Sequence, residues 1–106
     1  MASGKLGSSE LVTGTNTTVY TVPADTFTVA SVSFCNKGNS AVSVRLALAD
    51  ADTPTDAEYL EYDVELQSKM VLERTGIVLS ATQKIVAYAT SANVSVVAFG
   101  IETPTA

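Results

Sequence analysis

Val42-Ser43-Val44-Arg45-Leu46-Ala47-Leu48-Ala49 alternates apolar side chains with small or polar ones. Successive side chains of a strand point to opposite faces. Val42, Val44, Leu46 and Leu48 therefore share one face, and Ser43, Arg45, Ala47 and Ala49 the other. The pattern returns downstream, where Leu60, Tyr62, Val64 and Leu66 alternate with Tyr59, Glu61, Asp63 and Glu65. One face packed and one face wet is the signature of an antiparallel sheet.

Working outward, Thr17 to Val22 reads as a strand that stops at Pro23, which has no N–H to give a ladder. Phe27 to Asn36 carries Ala30, Val32 and Phe34 on one face and Phe27, Val29 and Cys35 on the other. Apolar residues on both faces mark a central strand, or one that bends between sheets. Met70 to Leu79 is interrupted by Gly76, which predicts a bulge or tight turn. Lys84 to Ala89 and Asn93 to Ile101 complete the set, with Ser91-Ala92-Asn93 read as a hairpin turn between them. Asn36-Lys37-Gly38-Asn39 likewise suits the positive φ angles of a hairpin loop. Between Asp50 and Ala57 lies the longest irregular stretch, and Asp56 to Leu60 has room for one helical turn. Short strands recurring at roughly 8–12 residues indicate an all-β sandwich or barrel, and the expected fold is a single small antiparallel β-sandwich of about seven or eight strands, jelly-roll or Ig-like. The sandwich is expected over residues 12–103, preceded by a polar N-terminal arm over residues 1–11.

Composition narrows the chemistry. The 106 residues include no histidine, which removes the usual general base near neutral pH and the commonest metal ligand. Cys35 is the single cysteine, so no internal disulfide exists, and it reads as a small buried hydrophobe rather than an activated nucleophile. A formal charge of -5 disfavours nucleic acid as a partner. No apolar run approaches the roughly 18 residues of a membrane helix, and Met1 to Ser9 lacks the apolar core of a signal peptide.

Candidate sites are few. Glu61, Asp63 and Glu65 share a strand face, and a solvated outer face explains them better than a glycosidase dyad. Asp50, Asp52, Asp56 and Glu58 crowd one loop, but its Pro54 and its missing glycine and terminal glutamate fit a capped surface loop better than a calcium site. Arg45 and Arg74 are placed to pair with the acidic strand face, and Tyr59 projects from it. Tyr59, Glu61, Arg45 and Arg74 are thus the candidate interaction residues. The sequence reads as non-enzymatic, with no catalytic residues, no metal and no cofactor.

A longer series is informative as a whole: Tyr20-Thr-Val-Pro23, Phe34-Cys-Asn36, Val44-Arg-Leu-Ala-Leu48, Glu58-Tyr-Leu-Glu-Tyr-Asp63, Val71-Leu-Glu-Arg-Thr-Gly76, Asn93-Val-Ser-Val96 and Phe99-Gly-Ile-Glu102. In this order, over about residues 12–102, it resembles small virion structural proteins of tailed bacteriophages, including those of cyanobacterial and other marine phages. The resemblance implies a β-sandwich module of the virion, made in the host cytoplasm. It implies a capsid decoration (cement) protein, or else a tail, collar or fibre component. The expected partners are the major capsid protein or tail and collar proteins, together with further copies of the chain in a homo-oligomer such as a trimer. Assembly is expected through sheet edges and the N-terminal arm. A carbohydrate-binding receptor module, using Tyr59 to stack a sugar, is the alternative from another class.

Overall fold

Alternation is realised as a closed pair of sheets. The computed structural model describes residues 3–105. Within them run β1 (Ser3–Glu10), β2 (Thr17–Thr21), β3 (Thr26–Asn36), β4 (Val42–Ala49), a 3₁₀ turn (Asp56–Glu58), β5 (Tyr59–Leu66), β6 (Val71–Leu79), β7 (Lys84–Ala89) and β8 (Val94–Pro104). One sheet, A, has the order β1-β8-β3-β6, and the other, B, the order β2-β7-β4-β5. All pairings are antiparallel. Eight strands shared in this order between two facing sheets make a jelly roll, which settles the choice against an Ig-like arrangement.

The core lies between the sheets. Val42, Val44 and Leu46 of β4 meet Ala30, Val32 and Phe34 of β3, and all are essentially inaccessible to solvent. Two polar groups lock the sheets at opposite ends. Near one end Tyr20 of β2 donates to the Glu102 carboxylate of β8, and the Thr28 hydroxyl of β3 lies 2.9 Å from Tyr20 Oη. At the other, the buried Asn36 amide donates to the carbonyls of Ser40, Leu66 and Gln67 at 2.9, 3.0 and 3.2 Å.

The structure corrects several expectations. Residues 3–10 of the expected arm form an edge strand, β1, paired with β8 from Ser3 to Glu10; Met1 and Ala2 lie outside the described residues. Leu6 packs against the core at a register shift between Lys5 and Gly7. A Cβ on Gly7 would stand 2.3 Å from the Val19 carbonyl oxygen, so glycine is what lets β1 close over β2. Main-chain pairing holds this segment, and its polar side chains do not advertise it.

The two expected hairpins are also replaced. Residues 37–41 carry the chain from sheet A to sheet B, and residues 90–93 carry it back. Turn residues show that the chain reverses, not which sheet it enters. Asn93 does adopt positive φ, at 70°. Gly76, at φ 71°, sits in the predicted bulge, where β6 slips against β3 between Ala30 and Val32.

Candidate interaction surface

Strand β5 departs from strict alternation. Its register against β4 shifts between Val44 and Leu46 and again between Leu46 and Ala47, and Asp63 takes a positive φ of 54°. Each shift inserts an extra residue and re-aims the side chains beyond it. Leu60, Val64 and Leu66 still face the core, but Tyr62 does not: it is 56% exposed. The expectation that Tyr62 shares the apolar face is overturned by these bulges, which bring it to the same outer face as Tyr59.

There the two rings meet edge to face, with centres 4.9 Å apart. Arg45, opposite Tyr88 in the β4–β7 register, lies between two rings: its guanidinium carbon is 4.2 Å from the centre of Tyr62 and 4.4 Å from that of Tyr88. Its Nε donates to Asp63 Oδ1 at 2.6 Å, which raises the guanidinium pKa above its already high value. Each arginine–ring contact is worth about 0.5–1 kcal/mol at such a site, so their main effect is to hold the patch in one geometry. Arg74 of β6 donates to Glu61 of β5 at 3.0 Å, tying together the edges of the two sheets.

The four candidate residues fall into two groups along β5: Tyr59 and Arg45 meet around Tyr62, whereas Glu61 pairs with Arg74 across the sheet edges. Arg45 and Arg74 both pair with the acidic strand, through Asp63 and Glu61 respectively. Tyr62, Tyr88 and Asp63 were not singled out as interaction residues. Tyr88 was findable, because it shares the outward side of β7 with Lys84 and Val86; Tyr62 was hidden by the bulge. An open cleft of about 490 Å³ lined by Asp56, Tyr59 and Tyr62 adjoins the cluster.

The acidic loop is laid across the outer face of sheet B. Asp52 accepts from the Thr18 hydroxyl of β2 at 2.6 Å and lies 3.8 Å from Lys84 Nζ of β7. Glu58 accepts the backbone N–H groups of Thr55 and Asp50 at 2.9 and 3.1 Å, which lowers its pKa, the Thr55 bond contributing most. Next to the loop, Tyr59 packs on the buried residues Ala47, Ala49 and Val86. These carboxylates close the loop, and among the described residues no three His, Cys, Asp or Glu side chains group closely enough to hold a metal ion.

Sheet A is different in character. Val29 stands opposite both Val78 and Ile101, forming a row across three strands whose members are 44%, 60% and 56% exposed. Cys35, expected to be buried, lies half-buried on this same face, opposite Val71 and Ser95. No protein-family model matches the chain, and no curated protein is significantly similar to it.

Proposed function

We propose that this chain is a non-enzymatic structural module of a tailed-phage virion, acting as a capsid decoration protein that docks on the shell through the outer face around β5. The observation that carries this reading is the clamped cluster of Tyr59, Tyr62, Arg45 and Tyr88. Tyrosine and arginine are enriched among the residues that dominate the energetics of protein interfaces, and tyrosine buries much area at little conformational cost. Here the rings and the guanidinium hold one another in place before any partner arrives. The jelly-roll order supports the reading by analogy, since viral capsid domains use it, as do lectins. With residues 3–10 committed to β1, the β5 surface takes the docking role that the sequence assigned to an arm. A tail, collar or fibre position would use the same surface on a different partner.

The test is to add labelled protein to purified particles lacking it and image where it binds. Label spread over the head is the expected result; label confined to one vertex or the tail moves the module there. Arg45→Ala and Tyr62→Ala should each weaken binding while leaving the circular dichroism spectrum unchanged.

The cleft of Asp56, Tyr59 and Tyr62 favours a second reading, a carbohydrate-binding receptor module, because rings beside a carboxylate suit a sugar. Arg45 already occupies the Tyr62 ring, which leaves Tyr59 as the principal platform. Glycan binding by calorimetry that disappears in Tyr59→Ala would establish this alternative over shell docking.

A further inference from the structure

The outer face of sheet A is a four-stranded surface whose formal charges lie only on its two edge strands. Along its two central strands the outward residues are Phe27, Val29, Ser31, Ser33 and Cys35 of β3 and Ser95, Val97, Phe99, Ile101 and Thr103 of β8. None of these is an Asp, Glu, Lys or Arg. Five of the large exposed apolar side chains of the protein, Phe27, Val29, Val71, Val78 and Ile101, lie on this one face. Contiguous apolar surface of this kind marks a contact site. Charge is confined to the edges, with Lys5 and Glu10 on β1 and Glu73 on β6.

We infer that the occupant of this face is a second copy of the chain, packed face to face about a two-fold axis running along the strands. Three observations select it. The chain carries a net charge of -5, so two copies repel wherever acidic surfaces meet, and this face is where they can approach without that penalty. Its size also suffices. With strands ~4.8 Å apart and ~3.4 Å per residue, its footprint is about 550 Å², or about 1,100 Å² for the pair, just above the roughly 1,000 Å² of a specific interface.

The third observation fixes the axis. Lys5 lies opposite Phe99, which lies opposite Ser31, whereas Glu73 on the far edge lies opposite Ser33, two residues along β3. An axis along the strands lays the β1 edge of each copy over the β6 edge of the other, bringing Lys5 within reach of Glu73 of the partner subunit, twice per dimer; Glu10, two residues from the Glu73 level on the other side, is already neutralised by Lys37 of its own chain. An axis across the strands through the centre of the face, at Ser31, would set Lys5 against Lys5. Among the described residues neither Lys5 nor Glu73 has an ion-pair partner in its own chain. The homo-oligomer proposed here is a dimer rather than a trimer.

This inference deepens the reading of the chain as an assembly module and rests on it. Its test reads self-association in solution, so a chain that dimerises but fails to decorate particles would separate the two. Sedimentation equilibrium of the full chain from micromolar to several hundred micromolar should give twice the chain mass. Val29→Asp, placed outward at the centre of the row, should be monomeric with an unchanged circular dichroism spectrum. Lys5→Glu should weaken the dimer by about ten-fold, and adding Glu73→Lys should restore it, since rim charges tune association through partner complementarity. Wild-type protein that stays monomeric, or forms a trimer, overturns the proposal. So does a dimer that survives Val29→Asp, or a charge swap that fails to restore pairing.

Discussion

The Tyr20 hydroxyl of sheet B donates its proton to the carboxylate of Glu102 in sheet A, across the interior of the sandwich. Tyr20 is 8% exposed and Glu102 9%, so the bond works in a region from which water is largely excluded. The Thr28 hydroxyl supplies the remaining donor to Tyr20 Oη, at 2.9 Å. A register shift in β2 between Thr18 and Tyr20 makes this possible, because it turns both Val19 and Tyr20 inward.

Burial, reinforced by Glu102, pushes the Tyr20 pKa up to about 12 from an ordinary value of 10.0. The folded state thus prefers the neutral phenol. The associated stability is fully present below pH 10 and is lost as pH rises towards 12. A shift of this size corresponds to about 2–3 kcal/mol. Tyr20→Phe should cost about 1–3 kcal/mol at neutral pH, and urea denaturation should show that the wild-type advantage over it shrinks between pH 10 and 12.

Asn36 is the second lock. Its amide nitrogen serves the carbonyls of Ser40, Leu66 and Gln67, and its Oδ1 accepts the Gly38 N–H at 3.0 Å. Asn36→Ala leaves these backbone groups without their partner beside a small cavity. We expect a loss of roughly 2–4 kcal/mol in chemical denaturation.

Gly100 lies in β8 opposite Ala30 of β3. A Cβ there would stand 2.0 Å from the Val29 carbonyl oxygen and 2.8 Å from the Ala30 Cα, both backbone atoms that cannot step aside. Gly100→Ala should therefore force the two central strands of sheet A apart and cost about 3 kcal/mol, as overpacking does. Gly14→Ala, where a Cβ meets nothing within 4 Å, is the contrasting variant: its positive φ of 68° makes the cost one of backbone strain rather than of collision.

Glu58 holds the acidic loop by accepting the N–H groups of Thr55 and Asp50, and this keeps its pKa below the ordinary 4.5. Because the pKa is depressed, the contribution is present above pH 4.5 and is lost as pH falls through the folded value. The amide proton resonances of Asp50 and Thr55 should titrate together with a midpoint below 4.5, and Glu58→Gln should abolish that titration while leaving the sandwich folded.

By itself the sequence determined the fold class and most of the core. The alternation at Val42–Ala49 and the inward set Ala30, Val32 and Phe34 were legible because side-chain direction in a strand follows residue parity. The pairing of Arg45 and Arg74 with the acidic strand was legible from charge alone. Only the tertiary structure decided which strands became neighbours, since that depends on contacts between residues far apart in the chain. It alone drew Ser3–Glu10 into sheet A through backbone hydrogen bonds, which no side chain encodes. It alone turned Tyr62 outward, because one inserted residue reverses parity, so local pattern fails wherever a bulge intervenes. And it alone joined Val78, Val29 and Ile101 into a single row, three residues from three strands whose shared face exists only once the register is set.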